Sequence, residues 1–127
     1  MTATIARGAE AYYQTHVQSR SPLELVVMLY DGALRFLEQA ADAMDKGDMV
    51  AKAAAMSRAF AILAELQNTL NVSEGGELAR QLDSLYVYMN DRLVDANVQR
   101  SSGPIRDVMR LLAPLRDAWS QVATPAA

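Results

Sequence analysis

Ser21-Pro22-Leu23-Glu24-Leu25-Val26-Val27-Met28-Leu29-Tyr30-Asp31-Gly32 is the stretch whose reading decides the fold. Ser21 offers a hydroxyl oxygen to the first free backbone N–H groups of a helix, and Pro22 at the first helical position gives up only an N–H that had no partner. Glu24, three residues after Ser21, completes a capping box. No charged or amide residue interrupts 25–30. Continued at helical pitch, Leu25, Val26, Val27, Leu29, Tyr30, Ala33, Leu34, Phe36, Leu37 and Ala40 cover roughly 200° of the wheel, against about 100° for an ordinary core stripe. That surplus has two readings. Either the helix is central and touches both its neighbours, or part of its surface meets a partner, and the pattern alone does not choose.

Working outward, the first helix is predicted over 22–45, ended by Lys46-Gly47, where glycine can take the left-handed conformation. Asp48 caps a second helix over 49–70, with Met49, Ala53, Met56, Phe60, Leu63 and Leu70 as its core stripe and Ala55, Ala59, Ile62 and Leu66 widening one edge. Asn71 to Gly76, with two adjacent glycines, reads as a loop. A third helix over 77–99 places Leu78, Leu82, Leu85, Met89, Leu93 and Ala96 inward, and lines up Val87, Val94 and Val98 on its far side. Arg100 to Pro104 breaks the chain again. A fourth helix then turns Ile105, Val108, Leu112, Leu115, Trp119 and Val122 inward, with Pro114 expected to kink or split it near 110–113.

Four such helices joined by short turns imply an all-α, antiparallel up-and-down four-helix bundle. A chain of 127 residues has room for one core of this kind and not for two. The organisation is therefore a flexible or weakly helical arm over 1–20, the bundle over 21–123 and a frayed end over 124–127.

The composition removes most chemistry. Zero cysteines exclude a disulfide framework, thiolate catalysis and zinc ribbons. The one histidine, His16, lies in the arm, so neither a di-metal bundle site nor a nucleophile–base pair can be assembled. Glu74-Gly-Gly-Glu77 lacks the ending and the preceding strand of a phosphate loop. Asp42 with Asp45, and Asp91 with Asp95, share helix faces that read as solvent. No cofactor and no enzymatic activity are expected. A net charge of −3 with dispersed Lys and Arg gives no footprint for nucleic acid, and no run approaches the ~20 apolar residues of a membrane span, so neither partner is expected and the protein should remain cytoplasmic.

With the residues read, the chain resembles the FliS family of flagellin-specific export chaperones in four blocks. These are Ala11-Tyr12 with Gln14 and Val17; Ser21-Pro22, Leu25 and Met28 to Gly32; Leu85-Tyr86-Val87-Tyr88-Met89 with Arg92-Leu93 and Ala96-Asn97; and Asp117-Ala118-Trp119. They stand in the family's order over nearly the whole length. The resemblance implies a four-helix bundle that binds the disordered C-terminal segment of flagellin in the cytoplasm, prevents early polymerisation and delivers it to the flagellar export apparatus, with the export gate as a further partner. It also implies that the arm, including Tyr12, covers part of the groove while flagellin is absent.

The wheel nominates Val27, Tyr30 and Leu34 on the first helix and Ile62 and Leu66 on the second as partner contacts, because these residues flank the stripes and should be partly exposed. The resemblance adds Tyr12, Val17, Leu25, Met28, Tyr86, Leu93 and Asn97. The competing reading is a structural bundle that self-associates through its extra apolar faces.

Overall fold

The computed structural model describes residues 21–70 and 72–123. The expectations for the 1–20 arm, with Tyr12, His16 and Val17, and for 124–127 lie outside that range. Four helices follow one another: α1 Pro22–Lys46, α2 Met49–Asn68, α3 Val72–Gln99 and α4 Gly103–Ala123.

Local chemistry sets their ends. The Glu24 N–H donates to Ser21 Oγ at 3.2 Å, so the cap on α1 forms as the sequence implies. At the other end Gly47 adopts φ 77°, and the N–H groups of Gly47 and Asp48 return to the carbonyls of Met44 and Ala43. Asp48 then accepts the Ala51 N–H at 3.1 Å, so only two residues separate α1 from α2. So short a link forces the two helices antiparallel. α3 ends without glycine: Arg100 takes φ 53° while the Ser101 N–H closes back on Ala96 O.

Two boundaries differ from expectation. The segment read as a loop before 77 is helical from Val72, and the break is confined to Gly76, whose φ of 60° and ψ of −136° no β-carbon tolerates cheaply. α4 also runs unbroken through Pro114 rather than splitting. Pro114 and Arg110 are both exposed, so water can satisfy the Arg110 carbonyl that loses its helical donor.

α1 packs against α2 on one side and α4 on the other, while α3 lies diagonally opposite, against α4 and, over fewer residues, α2. The antiparallel register is visible in polar links along the seams. Asp31 accepts from Arg116 Nε at 2.7 Å, and Asp45 accepts from Ser102 Oγ and Arg106 Nη2 at 2.6 and 2.9 Å, which fixes α1 against α4. Lys52 donates to Asn97 at 2.9 Å and Gln67 to Asp83 at 2.7 Å, bridging α2 and α3. Asp42 and Asp45 therefore face α4 and Arg106, not bare solvent.

The core on α3 is Ala79, Leu82, Tyr86, Met89, Leu93 and Ala96, alternating steps of three and four. This is the spacing of a left-handed supercoiled seam. Leu78, expected inward, is 61% exposed and Ala79 takes its place. On α2 the buried residues are Ala55, Met56, Ala59, Leu63 and Leu66. Met49 and Ala53, expected in the core, face outward, and Phe60 and Leu70 are only partly buried. The reason is close approach. A β-carbon at Gly32 would lie 3.1 Å from Ile62 Cδ1, and Ala33, Ala40 and Ala41 of α1 and Ala55 and Ala59 of α2 are all buried in the one core cluster. Small residues form the interface, so the large ones misdirect a wheel drawn by size. Val122, expected inward on α4, is also exposed.

The ion pairs give stability a definite acid dependence. The Asp45 carboxyl is held below its ordinary range by the Ser102 hydroxyl and then Arg106, and Asp107 is held below its range by Arg92 and then Arg110. A depressed folded value means that the contribution is complete above the unfolded value of about 4 and is lost as pH falls through the folded value. Melting temperature should hold level above about pH 5 as far as these groups go, and drop below about pH 4. The Asp45→Asn, Asp107→Asn double variant should start lower at pH 5 and lose less on acidification. Parallel curves for the two proteins would assign the acid transition to other carboxylates.

Candidate functional site

An apolar pocket of about 350 Å³ opens at the end of the bundle where α1 begins and α2 ends. Pro22, Leu23, Leu25 and Val26 line it from the first turns of α1, Leu66, Thr69 and Leu70 from the end of α2, Tyr86 from α3 and Trp119 from α4. All four helices contribute, and among the described residues no charged side chain does. Its size lies at the small end of the range for ligand sites, and its lining suits the side chains of an apolar segment.

Polar groups are few and mostly engaged. Thr69 Oγ1 donates to the Leu66 carbonyl at 2.7 Å. Behind the pocket wall, the Tyr30 and Tyr86 hydroxyls share a hydrogen bond of 2.5 Å across the α1–α3 diagonal. Burial pushes the Tyr30 hydroxyl above its ordinary range, partly offset by Tyr86 and by the Trp119 indole beside it. Tyr86 is raised further, by burial first and then by Tyr30. Both phenols therefore stay protonated, as neutral groups in an apolar wall.

The residues nominated from sequence lie in different places. Leu25, Leu66 and Tyr86 come together in the pocket. Val27, Met28, Leu34 and Ile62 are half-buried, as the flanking argument required, though none lines the pocket. Tyr30, Leu66 and Leu93 are core, with exposures of 0, 1 and 0%. For Tyr30 and Leu66 the expected partial exposure is wrong. Tyr30 turns inward to meet Tyr86, and Leu66 lies on the buried alanine side of α2. Asn97 accepts the Lys52 ammonium hydrogen bond. Tyr12 and Val17 lie outside the described residues.

Sequence reasoning passed over Pro22, Leu23, Val26, Leu70 and Trp119 as pocket residues. A signal was available, because the antiparallel register that pairs Asp31 with Arg116 carries Trp119, one turn further on, toward the start of α1. A second apolar surface is where the valine spacing put it. Val87, Val94 and Val98, joined by Tyr88, form an exposed strip on the outer face of α3. Among the described residues, no group of acidic or histidine side chains could hold a metal ion, and no helix is long and apolar enough to cross a membrane.

Comparison with known proteins places this geometry. The family model described as flagellar protein FliS matches residues 5–126. The flagellar secretion chaperone FliS of Salmonella typhimurium is 39% identical over 126 residues, covering 95% of this chain and 93% of that protein. The flagellar secretion chaperone FliS of Bacillus subtilis is 39% identical over 111 residues, 87% of this chain and 82% of the relative. The flagellar secretion chaperone FliSB of Pseudomonas aeruginosa is 33% identical over 110 residues, 87% of each chain.

Proposed function

The chain belongs to the FliS family of flagellar secretion chaperones, and from that premise we propose that it binds the C-terminal segment of flagellin in apolar grooves, keeps it from polymerising and delivers it to the export apparatus, including its gate. One observation carries the reading. Among the described residues the pocket built by all four helices is apolar and uncharged, and it stands at an end of the bundle where a long segment can enter and continue along the outer helix faces. A segment bound for a filament is amphipathic and unfolded beforehand, and burial of its apolar side chains is enough to hold it without any cofactor. The arm, with Tyr12 and Val17, joins α1 at Ser21 beside the pocket rim, and in this reading gives way to the client.

Val27, Met28, Leu34 and Ile62 extend the contact along α1 and α2 beyond the pocket. Leu66 and Tyr86 form its floor, and Tyr30, Leu93 and Asn97 hold the surrounding helices in place. The test is solution mass. The chain alone, 13.9 kDa, should run as a monomer and gain the mass of one flagellin C-terminal segment on mixing. A stable dimer that gains nothing would instead favour self-association through Val87, Tyr88, Val94 and Val98.

A further inference from the structure

Among the described residues, five of the eight arginines pair with a carboxylate, and Arg35, Arg58 and Arg100 do not. Two of those three are gathered on one ring. The Arg35 guanidinium stands 5.1 Å from the centroid of Phe36, its neighbour on α1, and the Arg58 guanidinium reaches the same ring from α2 at 5.6 Å. Both distances lie within the range of cation–π attraction. The ring face holds a cation without neutralising it, and a guanidinium seated on a ring keeps the N–H donors of its edge for an acceptor. A chain of net charge −3 thus carries a local excess of two positive charges, on exposed side chains beside a half-buried ring.

The α1–α2 seam places this cluster. Gly32 and Ile62 approach so closely that a β-carbon at 32 would lie 3.1 Å from Ile62 Cδ1. Phe36 follows Gly32 by about one turn and Arg58 precedes Ile62 by about one turn, so in antiparallel helices both step away from the pocket together. A segment that leaves the pocket and passes Ile62 on this seam meets the two arginines next.

We infer that Arg35 and Arg58, seated on Phe36, bind a carboxylate of the client segment as it runs along α1 and α2. The inference rests on the client reading above. A planar guanidinium matches a carboxylate through two parallel N–H···O bonds, and a docked segment removes water from the pair, which strengthens the attraction.

The test is the affinity of the full-length chain for the isolated flagellin C-terminal segment, measured by calorimetry at about 0.05 M and about 0.5 M salt. The Arg35→Gln, Arg58→Gln double variant should melt cooperatively and bind about tenfold more weakly at the lower salt, with the difference from the parent shrinking to about twofold or less at the higher. The Arg100→Gln, Arg110→Gln variant removes the same net charge elsewhere and should bind as the parent does. A segment amidated at its C-terminus supplies the source of the carboxylate. If the chain terminus is the ligand, amidation weakens parent binding about tenfold and leaves the double variant unchanged; if a side-chain acid is the ligand, amidation changes neither.

Parent-like affinity in the Arg35→Gln, Arg58→Gln variant overturns the inference and leaves the client reading intact, whereas no binding by the parent overturns both. Equal weakening in the charge-matched control would mean a general field rather than a site. A loss that persists undiminished at the higher salt would mean that the arginines only pack on Phe36. Tighter binding in the double variant would mean that they hold the chain's own residues 1–20. Each of these three results overturns the inference.

Discussion

Leu93→Asp should abolish the cooperative thermal transition, while Val94→Asp, one residue along the same helix, leaves it within about 0.5 kcal/mol of the parent. Leu93 is fully buried among the side chains of the core and its neighbour is 45% exposed. A carboxylate at 93 would stand among fully buried apolar side chains and cannot reach water without breaking the α3 packing. Burying it costs several kcal/mol, a large share of the roughly 5–15 kcal/mol that holds a domain together. At 94 the same group stands in solvent on the outer strip. Melts followed by far-ultraviolet circular dichroism check both. Equal losses would show that the inward phase of α3 is one residue, or about 100° of helix, away from its assigned position.

The contrast between 93 and 94 was legible in the sequence, and the comparable contrast on α2 was not. α3 separates large apolar residues from polar ones at steps of three and four, so its stripe was misplaced only at Leu78, beside the break at Gly76, and at Leu85, where Tyr86 takes the fully buried position and Leu85 packs half-buried beside it. α2 is alanine-rich nearly all round, so periodicity leaves its rotation open. Met49 and Phe60 drew the expected stripe toward themselves, whereas the residues that α2 buries include the small Ala55 and Ala59. Leu66 went with the alanines. Its nomination as a half-exposed edge was therefore a consequence of the wrong rotation, and Leu66→Glu would strike the core before it tested any partner.

Tyr30 was misplaced for another reason. A tyrosine on a wide apolar arc reads as amphipathic edge, and only the diagonal partner Tyr86, 56 residues away, lets its hydroxyl go inside. The caps were legible because each depends on residues within one turn. The pocket was not, because it is assembled from the ends of three helices and the middle of a fourth, and its walls depend on register that no single helix carries.

That assembly decides where a binding variant should be placed. Leu66 and Tyr86 lie in the pocket floor and also in the core, so changes there mix folding with binding. Val26 lines the pocket and is only half-buried, on the first turns of α1 where a longer polar side chain can lean out through the mouth. Val26→Asp should therefore keep the cooperative melt, at a cost of about 1–2 kcal/mol. Its affinity for the flagellin C-terminal segment should fall at least about a hundredfold, or some 2.7 kcal/mol, because a docked apolar segment closes the route by which that carboxylate reaches water.

Val98→Asp is the matching control. Val98 is 78% exposed on the outer strip of α3, away from the pocket, and its change should alter neither melting nor affinity. If Val98→Asp removes binding while Val26→Asp keeps it, the client runs along the outer face of α3 and the pocket is not its anchor.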